Sequence, residues 1–241
     1  MDNVCAIILA AGKGTRMNST DQNKVSIEIG GKPIIQRIIE ILKNAGVKDI
    51  LVVVGFAKES VTKLLDPEII VVDQGEPLGT GHAVKQALTK IPETDQNILV
   101  VYGDDGFWFT PEILNDLYKK HLDSQADITF CTTTIDNPTG LGRIIREKGE
   151  VVDIIEDKAA TNKQKLITEV NVGGYIFKKT FIENQINNLA PNPASGEYYL
   201  TDIIPLSAQV GASIQTLTLD NFSWRGINTP QELTEAEKLI K

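Results

Sequence analysis

Val4-Cys5-Ala6-Ile7-Ile8-Leu9-Ala10, running into Ala11-Gly12-Lys13-Gly14-Thr15-Arg16-Met17, is the stretch whose reading decides the fold. An unbroken apolar run predicts a strand buried on both faces, as in a parallel α/β sheet. Two glycines two apart then let the backbone turn tightly and bring N–H groups close to an anion. Lys13, Arg16 and Lys24 add three cations within a dozen residues. A glycine-rich turn leaving a strand with cations woven through it is a cradle for phosphates. It is neither a P-loop, whose Gly-x4-Gly-Lys-Ser/Thr spacing is missing, nor a dinucleotide fingerprint, because Met17 stands where the third glycine belongs.

Working outward, 241 residues with 41% hydrophobic and 23% charged content suit one large α/β domain with a substantial core. A net charge of -8 argues against a nucleic-acid partner, which would demand a basic face. Anionic small molecules must then be met by a local basic site or a metal. Cys5 and Cys131 lie far apart in apolar, strand-like runs and read as buried thiols of a reducing cytoplasm, with no zinc spacing. No signal peptide or membrane span is expected, so the expected location is cytoplasmic.

Strand-like and helix-like segments alternate through the first half. Strands are expected at 4–10, 50–54, 69–72 and 97–102, and helices at 33–43, 59–65, 82–89 and 111–122. That order implies a Rossmann-like, mostly parallel sheet with helices on both faces. The second half changes character. Residues 143–147 and 151–156, joined through Lys148-Gly149, predict a β-hairpin. A strand at 170–177, helices at 181–189 and 199–208, and a strand at 214–219 follow. Thr229-Pro230-Gln231-Glu232 then caps a last helix. The expected division is a nucleotide-binding half to about residue 135, then a hairpin-bearing lobe and C-terminal helix.

Ligands of open α/β sheets sit beyond the carboxyl ends of the strands. Those ends carry Gly12 to Arg16, Gln74 to Gly81 and Tyr102-Gly103-Asp104. Gln74 offers a donor and an acceptor to the edge of a pyrimidine base, and Gly79 and Gly81 would let a flat ring approach the backbone. The plainer alternative is a strand-to-helix loop capped at Thr80, with His82 packing or capping. An aspartate such as Asp104 can hold Mg²⁺, a hard cation that needs few protein oxygens when phosphates and water supply the rest.

Leu9 to Met17 resembles the signature loop of the sugar-phosphate nucleotidyltransferases, Leu-Ala-Ala-Gly-x-Gly-Thr-Arg-Met. Residues 74–82 resemble the uracil loop of the N-acetylglucosamine-1-phosphate uridylyltransferases, and 196–204 is a further stretch similar to that family. From about Val4 to Asn228 the chain resembles the N-terminal pyrophosphorylase domain of the bifunctional enzymes of that family. The acetyltransferase half, a hexapeptide-repeat β-helix, is not expected in 241 residues.

The resemblance implies a glycosyltransferase-A-like nucleotidyltransferase fold and transfer of a nucleotidyl group from UTP to a sugar 1-phosphate, most simply N-acetylglucosamine 1-phosphate. It implies Lys13, Arg16 and Lys24 as the catalytic cations. Leu9, Ala11, Gly12, Gly14, Thr15, Gln74, Gly79 and Thr80 would bind the nucleotide. Tyr102, Gly142, Glu156 and Asn171 would bind the sugar, and Asp104 with Asn228 would hold Mg²⁺.

Two departures from the family pattern stand out. Asp105-Gly106 replaces an apolar residue and proline; Asp105 is expected to be solvated and inert, with an altered metal or sugar site as the alternative. Gln22-Asn23 replaces Leu-Pro before Lys24. Another sugar phosphate, CTP or dTTP in place of UTP, and a non-catalytic nucleotide-sugar sensor stay open as alternatives. A nicotinamide oxidoreductase is disfavoured by the missing glycine.

Overall fold

The computed structural model describes residues 1–13, 21–220, 222, 224 and 230–239. Gly14, Thr15, Arg16, Asn228 and the expected Thr229 cap lie outside the described residues.

The order begins with β1 (Val4–Ala10), the ribbon β2 (Glu28–Ile29) and β3 (Lys32–Pro33), α1 (Ile34–Asn44) and β4 (Asp49–Val54). Next come α2 (Lys58–Thr62), β5 (Ile70–Asp73), α3 (Thr80–Leu88), β6 (Asn97–Tyr102) and α4 (Pro111–Asp123). The second half holds β7 (Ile128–Thr134), β8 (Arg143–Glu147), β9 (Glu150–Ile155) and β10 (Glu169–Lys178). It closes with α5 (Lys179–Gln185), α6 (Ile203–Gln209), β11 (Ile214–Thr218) and α7 (Pro230–Leu239).

The main sheet runs β11-β7-β10-β6-β1-β4-β5. Strands β6, β1, β4 and β5 are parallel, as are β11 and β7; β10 enters between the two groups and is antiparallel to both neighbours. The hairpin β8–β9 hangs from β10 through the pairing of Arg143 with Val170. Its turn places Lys148 at φ 52° and Gly149 at φ 93°, the left-handed pair of a type I′ turn.

Alternation along β1 sorts its side chains into two cores. Val4, Ala6, Ile8 and Ala10 join α1 and α4 through Ile34, Ile38, Leu114 and Leu117. Cys5, Ile7 and Ala11 join α3, α5 and α6 through Val84, Ile182 and Ile203. The two faces are therefore both covered, which is why the parallel strands are apolar throughout. Both cysteines are buried free thiols, and burial pushes their pKa values up, so neither is a ready nucleophile.

Several boundaries differ from the pattern reading. The helix expected over 59–65 runs only over Lys58–Thr62 and then tightens into turns, with Leu64 N–H on the Val61 carbonyl and Leu65 N–H on the Thr62 carbonyl. The helix expected over 181–189 begins at Lys179 and ends as a 3-10 turn at Ile186–Asn188. The one expected over 199–208 begins as a 3-10 turn at Leu200–Asp202, since the Leu200 N–H is given to Thr80 Oγ1.

His121 on α4 is a buried polar pin. Its Nε2–H donates to Asn97 Oδ1 at 3.2 Å and its Nδ1 accepts from the Thr129 hydroxyl at 2.9 Å. Desolvation lowers its pKa to about 4. The unfolded chain takes up this proton near pH 6.5 and the folded one only near 4. The His121 contribution to stability is therefore complete above pH 6.5 and declines as pH falls towards 4. The decline amounts to about 3 kcal/mol, at roughly 1.4 kcal/mol per pKa unit. Denaturant titrations of the wild type and His121→Gln at pH 7.5 and pH 4.5 check this: the wild type should lose more stability than the variant. Parallel losses would remove His121 from the effect.

Candidate active site

A cleft of about 550 Å³ opens at the carboxyl ends of β1, β5 and β6. Of the expected site residues, Leu9, Ala11, Gly12, Gln74, Gly79 and Thr80 for the nucleotide, the cations Lys13 and Lys24, Asp104 for the metal and Tyr102 for the sugar all line it. They come from four separated segments, brought to one rim by the sheet order. Gly55, just after β4, lets its own loop pass close to the first of them, because a Cβ there would lie 2.9 Å from the Ala11 carbonyl oxygen.

Lys24 sits in a 3-10 turn, Lys24–Ser26, and is largely buried. Its Nζ donates to Asp104 Oδ2 at 2.6 Å. The Asp104 side chain remains 34% exposed, against 10% for that of Lys24. A cation thus stands next to an oxygen ligand at the mouth of the cleft.

Asp105 is not solvated as expected. It is buried, with Oδ1 lacking a hydrogen-bond partner. Burial first, and then the neighbouring Asp104 charge, drives its carboxyl well above the ordinary range, with Lys24 and Trp224 acting against them. The chain turns inward after Asp104 because Trp108 N–H and Phe109 N–H close a 3-10 turn onto the carbonyls of Asp105 and Gly106.

Gln74 is buried beside the loop it was expected to serve. Its amide nitrogen donates to the Gly79 carbonyl at 2.9 Å and lies 3.3 Å from His82 Nδ1. His82 Nε2 in turn meets Gln86 at 3.0 Å, so His82 backs the loop rather than capping the helix. Thr80 is likewise not the helix cap: Gly79 holds that place at φ 96°, while the Thr80 hydroxyl accepts from Leu200 N–H at 2.9 Å. A Cβ at Gly79 would stand 2.6 Å from the Tyr198 carbonyl oxygen, so only glycine fits there.

The expected sugar group assembles beside the cleft. Gly142 carbonyl accepts from Asn171 N–H at 2.9 Å, and a Cβ at Gly142 would meet the Glu156 carboxylate at 3.5 Å. Tyr102 links this group to the cleft. Enclosure and the charges of Asp105 and Glu156 raise its pKa, and its ring stands edge-on to Tyr175 at 6.2 Å. Desolvation and Asp202 raise the Glu156 carboxyl, while Arg143 pulls it down. Arg143 itself is buried against Asp157 at 2.8 Å.

Asn23, Glu197 and Tyr199 also line the cleft and were not expected there. Residues 197–200 zip onto the base loop through Tyr198 N–H to the Leu78 carbonyl and Gly81 N–H to the Tyr198 carbonyl, both 2.8 Å. The only sequence signal was the stretch 196–204 itself, whose partner in space is more than a hundred residues away.

The site contains no group of three or more His, Cys, Asp or Glu placed for a metal among the described residues. A half-buried carboxylate oxygen donor, Asp104, lining the cleft nevertheless fits Mg²⁺, which retains water and substrate ligands. Also among the described residues, no helix is long and apolar enough to cross a membrane.

Gly12 and Lys13 after β1, the strand-end Asp104 and the loop from Gln74 to Thr80 line one cleft, and the family comparison supplies the class. The chain belongs to the nucleotidyl transferase family, whose model matches residues 5–241. It is 41% identical over 234 residues to the bifunctional protein GlmU of Carboxydothermus hydrogenoformans, covering 96% of this chain and 52% of that protein. It is 39% identical over 243 residues to the bifunctional protein GlmU of Clostridioides difficile, covering 99% and 52%. The chain spans about half the length of the curated relatives it matches. A solved Bacillus anthracis structure, assigned as a glucose-1-phosphate thymidylyltransferase, aligns with TM-score 0.81 at 19% identity over 98% of this chain and 94% of that one. At that identity the likeness concerns the fold.

Proposed function

We propose that this chain is a sugar-1-phosphate uridylyltransferase that converts UTP and N-acetylglucosamine 1-phosphate to UDP-N-acetylglucosamine and pyrophosphate. The observation that carries the reading is the single cleft joining Gly12, Lys13, Lys24, Gln74 and Asp104, with Tyr102 connecting it to Gly142, Glu156 and Asn171. A phosphate oxygen of the sugar attacks the α-phosphorus in line, and the bond from that phosphorus to the β-phosphate oxygen breaks. The attacker is already an anion, so no general base is needed; positioning and charge neutralisation supply the catalysis.

Lys13 and Arg16 hold the β- and γ-phosphates and stabilise the leaving pyrophosphate, while Lys24 serves as a point charge nearer the α-phosphate. Asp104 and Asn228 would hold a Mg²⁺ that, when bound, neutralises charge on the phosphates. Leu9, Ala11, Gly12, Gly14 and Thr15 shape the nucleotide loop, with Gly79 and Thr80 against the base. The Gln74 amide nitrogen donates to Gly79 and lies against His82, which leaves its carbonyl oxygen to accept N3–H from uracil or thymine. Cytosine presents an acceptor at N3 and is repelled.

Pyrophosphate release is the test, measured for four nucleoside triphosphates against several sugar 1-phosphates, with and without Mg²⁺. The strongest metal-dependent signal is expected for UTP with N-acetylglucosamine 1-phosphate, and CTP should rank below UTP and dTTP. A different best pair would reassign the substrates. Silence from folded protein that still binds UTP would favour a sensor.

A further inference from the structure

Asn23, one residue before Lys24, uses every polar group it has. Its side-chain amide donates to the carbonyls of Ala10 at 2.9 Å, Phe56 at 2.9 Å and Gly12 at 3.3 Å, sharing two hydrogens among three acceptors. Its Oδ1 accepts from Val25 N–H at 3.1 Å and caps the turn that carries Lys24. Its backbone N–H donates to Ser60 Oγ at 2.9 Å, and its carbonyl accepts from the Ser26 hydroxyl at 2.7 Å. Only 1% of the residue is exposed.

The consequence falls on the phosphate loop. The Ala10 and Gly12 carbonyls are bound to Asn23, and the Ala11 carbonyl between them is bound to Phe56 N–H at 3.1 Å. Three successive carbonyl dipoles are thereby committed within the protein. In a planar trans peptide the N–H points opposite to the C=O, so the Ala11 and Lys13 amides are turned away from Asn23 by the same bonds. With the Ala10, Ala11 and Gly12 carbonyls occupied, this described part of the loop meets an anion with its donors. A proline at this position would satisfy the φ of -73° but bring neither the side-chain donors nor the N–H for Ser60.

We propose that Asn23 is the positioning residue of this nucleotide site: it sets the anion loop of β1 and the Lys24 turn relative to each other and so determines triphosphate affinity. The inference rests on the reading of the cleft as a UTP site.

Its test is a KM and kcat comparison of wild type, Asn23→Ser and Asn23→Ala, with pyrophosphate inhibition and UTP binding by calorimetry measured alongside. Serine keeps an oxygen for the Val25 cap and loses the reach to the three carbonyls, so it costs the fold less than alanine does. Both variants should raise the UTP KM and Kd and the pyrophosphate inhibition constant by about 10- to 100-fold. The KM for the sugar 1-phosphate should stay within about twofold, since Gly142, Glu156 and Asn171 lie outside the lining of the cleft. A merely structural role would lower the thermal midpoint and the active fraction and leave the UTP constants of the folded protein unmoved; that result overturns the proposal. Wild-type protein that neither turns over nor binds UTP overturns the underlying reading, and this inference with it.

Discussion

Asp104→Asn is expected to lower kcat by about 1,000-fold, equivalent to about 4 kcal/mol of transition-state stabilisation, while leaving UTP affinity intact or slightly improved. The side chain stands at the end of β6, and its Oδ2 is 2.6 Å from Lys24 Nζ. Asparagine retains the shape but removes the charge that neutralises the lysine, so the cleft becomes more attractive to a triphosphate. It also removes the hard anionic oxygen that a divalent cation prefers. Loss of turnover with retained binding separates this role from misfolding. The neighbouring Asp105 supports that separation, because removing the Asp104 charge relieves a repulsion on a buried carboxyl. Near-normal kcat in Asp104→Asn, measured at saturating Mg²⁺ and UTP, would remove Asp104 from the mechanism.

Arg16→Ala is expected to reduce turnover by about two to three orders of magnitude. The leaving pyrophosphate gains negative charge as the α-phosphorus bond breaks, and a guanidinium can meet two of its oxygens at once. Lysine at this position would restore charge without the fork and should recover only part of the rate. The loss should appear mainly in kcat, because the charge being stabilised develops in the transition state. Steady-state kinetics of Arg16→Ala and Arg16→Lys check the order; equal rates in both, close to wild type, would show that the leaving group is stabilised elsewhere.

The parallel half of the fold was legible because its strands are buried on both faces and written almost wholly in apolar residues: 4–10, 50–54 and 97–102. Strand β7 was read only as a strand-like run around Cys131, without bounds. Thr129, Thr132 and Thr133 break the apolar pattern, yet all three are buried, paired with β10 and β11 where threonine satisfies its hydroxyl locally. The antiparallel insertion of β10 between β6 and β7 left no local sign either, since strand partnership is a long-range choice.

In the site, motif residues at strand ends were legible because their place in the sheet follows from chain order. Asn23 was not, because it acts through the backbone of Ala10, Gly12 and Phe56, nor were Glu197 and Tyr199, whose segment is held to the 78–81 loop by their neighbours Tyr198 and Leu200. The fate of Asp105 was misread for a related reason: whether a strand-end carboxylate meets water or Trp224 depends on a segment more than a hundred residues away.

Following ¹⁸O from N-acetylglucosamine 1-phosphate, labelled in its non-bridging phosphate oxygens, through reaction with UTP and Mg²⁺ tests the central claim most directly. Attack by the sugar phosphate on the α-phosphorus predicts a UDP-sugar that carries the whole label and pyrophosphate that carries none. Label in the pyrophosphate, or no UDP-sugar from folded protein, would contradict the account.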